Sequence, residues 1–336
     1  MSFSIRTGLS FVSAVVLAAS AGCSKKPDAA GEGGLTIAVI PKGTTHEFWK
    51  SIHAGAVKAQ RELAAQGTKV NLIWKGPLRE DDRDQQIQVV ENFIGRKVAG
   101  IVLAPLDSQA LVAPVEQAMA DKIPVVIIDS GLRSEKYVSF VATDNYKGGV
   151  MGGEHLGQLL GGKGRVILLR YQVGSASTEE REAGFLDAMK KFPGIVVISS
   201  DQYTGATRES AYQAAQNVLN RFGREVDGLF APCEPVTIGI DLALKDLNRA
   251  GAVKLVGFDA GTQSVEALKA GRVHGLIVQN PVRMGYLGVM SAVQHLQGKA
   301  VEKRIDTGVT LVTTENMVRS NVNELLNPPL KQYLGE

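Results

Sequence analysis

Cysteine is nearly absent: the 336 residues hold two, Cys23 and Cys233. The first ends a leader segment, which leaves Cys233 alone and excludes a disulfide framework. Stability must then come from a core large enough to need no covalent staples, and the remaining ~310 residues can build one. No closely spaced His/Cys set suits a metal ion, and no cofactor motif stands out. Basic tracts are missing too. The 37 Lys and Arg are dispersed among 34 Asp and Glu for a net charge of +3, and no recognition-helix pattern occurs near the N-terminus. This distribution gives no electrostatic case for nucleic acid, and no nucleic-acid partner is expected. The glycine-rich stretch "GQLLGGKGR" lacks P-loop spacing; its glycines end a helix and turn into "VILLR".

No hydrophobic run is long enough to span a bilayer. The apolar stretch nearest the N-terminus is interrupted by serines, comes after Arg6, and ends in Ser20, Ala21, Gly22 and Cys23. It reads as a secretory signal over residues 1–23. The small-residue run before Cys23 resembles a bacterial lipobox, although Ser20 stands where leucine is usual. Lipidation of Cys23 is expected, with ordinary signal cleavage as the alternative. Residues 24–34, "SKKPDAAGEGG", read as a polar tether.

Beyond the tether the chain is regular. Ten apolar, β-branched runs, from "LTIAVI" to "VHGLIVQ", recur with helical patterns between them. Several are apolar on both faces, as parallel strands covered by helices should be. Alternating strands and helices imply right-handed crossovers and a doubly wound α/β sheet. Ten strands crowd one sheet, so two α/β lobes are expected.

Ligands of open α/β sheets bind beyond the carboxyl ends of the strands. Lys42 comes after the first run, Asp129 and Ser130 after "PVVII", and Cys233 and Glu234 after "GLFAP". Asp259 ends "KLVGF", Gln279 ends "GLIV", and Tyr203 lies shortly after "IVVISS". Thr44 and Glu47 have capping-box spacing, which starts a helix there with Phe48 and Trp49 in its first turn. An aromatic beside strand ends can cover the C–H face of a sugar ring. Both rings could equally be core, Phe48 more readily because it shares a stripe with Ile52.

From Leu35 to Val312 the chain resembles a type I periplasmic solute-binding protein of the ribose-binding cluster. The pieces are "IAVIPKGTTHEFWKSIHAGA", "GIVLAPLDSQAL", "IPVVIIDSG", "VATDNYKGG", "STEEREAGF", "GLFAPCEPVTIG", "LVGFDAG" and "GLIVQNP". The resemblance implies two Rossmann-like lobes, each a parallel sheet flanked by helices, joined by a three-strand hinge. The crossings would lie near Ala142–Asp144, Gln279–Asn280 and Asp306. One lobe is then 35–142 plus 280–306, and the other 143–279 plus 307–336. It also implies a ligand set of Lys42, His46, Phe48, Trp49, Asp129, Arg181, Tyr203, Cys233, Glu234, Asp259 and Gln279. Ser130 replaces the arginine of ribose binders, and Cys233 replaces an asparagine. "IPK" and "DS" are instead similar to the binding protein for a furanosyl autoinducer, a subgroup that lacks an arginine at position 181. Lys42 and Arg181 together leave an anionic or furanose-like ligand open.

The implied function is capture of a small sugar or sugar derivative by hinge closure, as the substrate-binding component of an ABC importer. The partners would be a membrane permease and, through the lipid anchor, a membrane; the protein would be an exported monomer in the periplasm or cell envelope. A receptor for a chemosensory or two-component partner is the alternative, and a sugar-modifying enzyme a further one. The leader occupies the place where a repressor of this fold would carry its DNA-binding headpiece. His46 could be a capping residue, Glu234 could stand behind the ligand, and Cys233 could be a small buried hydrophobe. Arg181 and Asp259 could pair with each other. His155, His274 and His295 read as structural or exposed.

Overall fold

A computed structural model describes residues 1–3 and 34–335; the leader's apolar segment, Cys23 and the tether up to Gly33 lie outside the described residues. The first lobe opens with β1 (Leu35–Ile40), α1 (Glu47–Ala65), β2 (Val70–Trp74) and α2 (Arg83–Gly95). It continues through β3 (Gly100–Leu103), α3 (Val112–Ala120), β4 (Val125–Ile128) and β5 (Ser139–Ala142). The second lobe runs through α4 (Asn145–Leu159), β6 (Lys163–Leu168), α5 (Ala176–Met189), β7 (Gly194–Ser199) and α6 (Arg208–Phe222). After these come β8 (Gly228–Phe230), α7 (Glu234–Asp246), β9 (Lys254–Phe258), α8 (Thr262–Lys269) and β10 (Gly275–Gln279). The chain ends with α9 (Pro281–Leu296), β11 (Arg304–Asp306), β12 (Val309–Val312), α10 (Ser320–Leu326) and α11 (Leu330–Leu334).

All ten apolar runs became strands. With β11 and β12 they form two six-stranded sheets, ordered β11-β5-β4-β3-β1-β2 and β12-β10-β9-β8-β6-β7. The orders correspond strand for strand, so the lobes are two copies of one topology. Central strands β1, β3 and β4 are buried on both faces, with apolar clusters above and below. The second sheet is wrapped in the same way. One strand departs from the parallel expectation: β12 pairs antiparallel with β10. Only Thr307 and Gly308 separate it from β11, and an antiparallel edge on a parallel sheet is a common compromise.

The chain changes sheets three times, after β5, after β10 and between β11 and β12. A short polar side chain accepts a local backbone N–H at each crossing. Asp144 accepts from Lys147 at 3.0 Å, Asn280 from Arg283 at 3.0 Å, and Asp306 from Gly308 at 2.9 Å. Such turns fix the direction in which the chain leaves a strand.

Because the crossings send α4 into the second lobe and α9 into the first, α4 packs on α5 and α9 on α1. Glycines permit the approach: a Cβ on Gly184 of α5 would sit 2.2 Å from the Tyr146 carbonyl oxygen of α4. The counterpart is Gly55 of α1 against Val282 of α9, at 1.9 Å.

Two expectations need correction. Thr44 does not cap α1; its hydroxyl donates to the Pro77 carbonyl, and the cap position is His46. The Glu47 carboxylate, expected to reach back to the cap, is taken by Thr262 of the other lobe. The C-terminus also does not stay with the second lobe. Val322 and Leu326 of α10 join that lobe's core, but Pro328 and Pro329 end the helix and redirect the chain. Helix α11 then lies on α1 of the first lobe, where Arg61 donates to the carbonyls of Gln332 and Tyr333 at 2.9 and 3.2 Å.

Candidate functional site

The carboxyl ends of the two sheets face each other, and the side chains one residue beyond them meet. Asp129 after β4 and Asp259 after β9 are both buried, at 3% and 6% exposure. Around them lie Lys42, His46, Phe48, Trp49, Arg181, Cys233, Glu234 and Gln279, enclosing a cavity of about 40 Å³. Residues more than two hundred positions apart thus converge on one inter-lobe cleft.

On the first lobe, Trp49 is buried and meets Phe48 edge to face with centroids 5.1 Å apart. Its indole N–H donates to Glu80 Oε1 at 2.8 Å, and His46 Nε2 is 3.3 Å from the same oxygen. Lys42 Nζ lies 3.3 Å from Asp129 Oδ2 and also donates to the hydroxyls of Ser175 and Ser177 across the cleft, at 3.2 and 3.1 Å.

On the second lobe, α5 carries Arg181 with its guanidinium 4.0 Å from the Phe258 ring centroid. Nε donates to Asn145 Oδ1 and Nη1 to the Pro232 carbonyl, both at 2.9 Å. Nη2 is buried without a protein partner. Arg181 therefore forms no ion pair with Asp259, whose carboxylate accepts from Gln279 Nε2 at 2.7 Å and from the Glu234 N–H at 3.3 Å. Glu234 takes Arg208 on Oε1 at 2.7 Å and leaves Oε2 buried and unpartnered; Gln279 Oε1 is unpartnered too. Burial raises the pKa of Asp259 against the pull of Arg181. It raises that of Glu234 against His46 and Arg208. Arg208 Nε, on the guanidinium that pairs with Glu234, is buried and unpartnered as well. Donors and acceptors together, all desolvated, point to a hydroxylated ligand, because a buried hydrogen bond left unmade is costly.

Three expected residues behave otherwise. Ser130 is fully buried, but its Oγ accepts from the Ser177 N–H at 3.1 Å, so it joins lobe to lobe. Tyr203 is 41% exposed, outside the cleft, with the Arg170 guanidinium 5.8 Å from its ring centroid. It comes after β7, an edge strand, whose end lies at the rim rather than over the cavity. Cys233 does border the cavity, but burial drives its thiol pKa well up, which favours the neutral thiol over the thiolate.

The profile of the family described as periplasmic binding protein domain matches residues 37–300. The chain belongs to the periplasmic binding protein family. The D-ribose/D-allose-binding protein of Pseudomonas aeruginosa is 32% identical over 287 residues, 82% of this chain and 88% of its own length. A ribose import binding protein of Haemophilus influenzae is 29% identical over 278 residues, 83% and 91% of the two. Among solved structures, a carbohydrate transporter solute binding protein from Agrobacterium radiobacter, in complex with D-arabinose, matches with a TM-score of 0.83 at 32% identity. That match covers 88% of this chain and 100% of the other.

Five residues of this periplasmic binding protein's cleft were not among those expected: Glu80, Tyr171, Ser177, Thr178 and Pro235. Tyr171, 2% exposed, donates its hydroxyl to Glu80 Oε2 at 2.8 Å, and Gln172 donates to the Glu80 carbonyl at 2.8 Å. Tyr171 could have been found, since it comes shortly after "RVILL" as Asp129 does after "PVVII". Glu80 could not, because it lies six residues past β2 in an acid-rich loop with no local pattern.

Proposed function

We propose that this chain captures a small polyhydroxylated solute, a sugar or close derivative, for an ATP-driven importer, and does no chemistry on it. The observation that carries the reading is the set of unpartnered buried atoms, Arg181 Nη2, Glu234 Oε2 and Gln279 Oε1, gathered between two lobes. The sugars named with its relatives agree with it. Trp49 covers an apolar ring face, while Asp129, Asp259, Glu234 and Gln279 accept from hydroxyls and Arg181 donates. Bonds to the carboxylates and from Arg181 are charge-assisted, shorter and stronger than neutral ones.

Binding works through population shift. A ligand touching Asp129 on one lobe and Arg181 on the other makes all its contacts only when the lobes are apposed, so it favours closure. The closed pair of lobes is then what a membrane permease recognises. Lys42 and Ser130 serve closure itself rather than the ligand. The chain acts as an exported monomer, its Cys23 carrying the lipid that holds it at the membrane.

Mass spectrometry of small molecules released from the purified protein, and calorimetry with D-ribose, D-allose and D-arabinose, test the reading. A saccharide that returns chemically unchanged is expected. Failure of every saccharide to bind sinks it, and conversion of the bound sugar to product would sink the claim that no chemistry occurs.

A further inference from the structure

The inter-lobe cavity has room for about three waters at about 40 Å³. Next to it, with Phe48 in both linings, lies a second chamber of about 250 Å³. The two spaces share Phe48, Glu234, Asp259 and Gln279, so they are neighbours separated by those side chains. Two of the unpartnered oxygens, Glu234 Oε2 and Gln279 Oε1, belong to those shared residues, which are 1% and 2% exposed. The outer wall comes from neither sheet. It is the C-terminal segment from Leu325 to Pro328 with Leu330, held across the lobes by α10 at one end and α11 at the other.

We infer that the site extends into this chamber and takes a two-ring ligand, a disaccharide or a glycoside, in preference to a lone monosaccharide; the inference rests on the saccharide reading of the cleft. The lining suits a second sugar ring. Ser51, Thr262 and Asn327 offer hydroxyl and amide groups, while Val278, Leu325 and Pro328 offer apolar surface for C–H faces. No lysine or arginine is among the lining residues, whereas Glu47, Glu234 and Asp259 are. A phosphate or carboxylate substituent would meet three carboxylates and no cation, so the extension is a neutral ring. Glu47 shuts the space between the lobes by accepting from the Thr262 N–H and hydroxyl at 2.8 and 3.0 Å.

The test is native mass spectrometry and calorimetry of the protein with a mixture of pentoses, hexoses and their disaccharides. Ser51→Phe fills the chamber from α1 without touching the smaller cavity, since Ser51 bonds only to its own helix, at the Glu47 carbonyl. A chain ending at Leu326 removes part of the outer wall instead and covers the case in which the larger side chain impairs folding. The protein should hold a disaccharide at least tenfold more tightly than either of its component sugars. Each variant should lose that preference and keep its affinity for single rings. Tighter binding of a single ring, or an undiminished disaccharide preference in both variants, overturns the inference and leaves the saccharide reading standing. Failure of sugars of either size to bind overturns both.

Discussion

Asp129 and Asp259 share a left-handed backbone, φ 63° and 68°, one residue past the ends of β4 and β9. Each donates its N–H to the next strand of its sheet, to Val141 at 3.1 Å and to Ile277 at 2.9 Å. They are the same position in two copies of one fold, and the conformation aims both carboxylates into the cleft. An L-residue there costs about 1–2 kcal/mol, least for Asp and Asn. Asp259→Asn should therefore fold with near wild-type stability and bind sugar weakly. Asp259→Ala should lose roughly a further 1 kcal/mol of stability, because Ala lacks the local hydrogen bonds that ease this backbone. Urea unfolding of the pair decides; equal midpoints would mean that the backbone carries no such preference.

Arg181 offers the cleft an unpartnered buried donor, Nη2, beside two bonds that fix the rest of the guanidinium. Arg181→Met keeps bulk over Phe258 and removes the donor. Sugar affinity should fall by roughly 2–5 kcal/mol, the range for truncating one member of a buried charged interaction. A loss near zero in calorimetry, with the circular dichroism spectrum intact, would place the ligand elsewhere.

The ten strands could be read directly because a parallel strand buried on both faces is written as an unbroken apolar run. Strands β11 and β12 lacked that mark. They are three- and four-residue edge strands, largely exposed or half-buried. The strand-end rule located Lys42, Asp129, Asp259 and Gln279, since it depends on sheet geometry alone. It failed for Tyr203 because lateral order within a sheet, which puts β7 at the edge, is not written locally. Thr44 failed for another reason: Glu47, which the capping box needed, bonds to Thr262 more than two hundred residues away. Local signals lose where a long-range partner competes for the same group.

Gly184 tests the helix contact that positions Arg181. Its Cβ would meet the Tyr146 carbonyl oxygen at 2.2 Å, so Gly184→Ala must push α4 from α5. Overpacking of this kind costs about 1–3 kcal/mol. Because α5 carries Arg181, sugar affinity should fall as well. Gly95, at the end of α2 with nothing within 4 Å, is the control. Gly95→Ala should stabilise by about 0.5–1 kcal/mol through helix propensity. Thermal unfolding of both variants checks the pair, and equal shifts in one direction would refute the contact argument.

Tyr171 and Glu80 latch one lobe to the other without any ligand group between them. A hydrogen bond to a charged group contributes about 1.5–3 kcal/mol. Tyr171→Phe keeps the ring and deletes the bond, so the open population should rise. Small-angle scattering without sugar should then give a larger radius of gyration, and sugar affinity should drop by no more than that energy. An unchanged radius would show that other cross-cleft bonds, such as Lys42 to Ser177, hold the lobes unaided.

Glu182 sets a pH dependence with a defined sign. It accepts from Arg170 at 2.7 Å and from the Tyr171 N–H at 3.1 Å, yet burial outweighs both and raises its pKa from 4.5 to about 7. Between those values the folded chain keeps a proton that the unfolded chain has released. Unfolding free energy therefore falls as pH rises from 4.5 to about 7 and levels off above. The loss attributable to this one group is about 3 kcal/mol. Glu182→Gln cannot titrate, so it should remove that part of the decline between pH 5 and pH 8. Urea midpoints at the two pH values, in the protein and the variant, measure it. Identical differences in both would assign the pH dependence to other buried carboxylates, of which Asp259 and Glu234 act in the same direction.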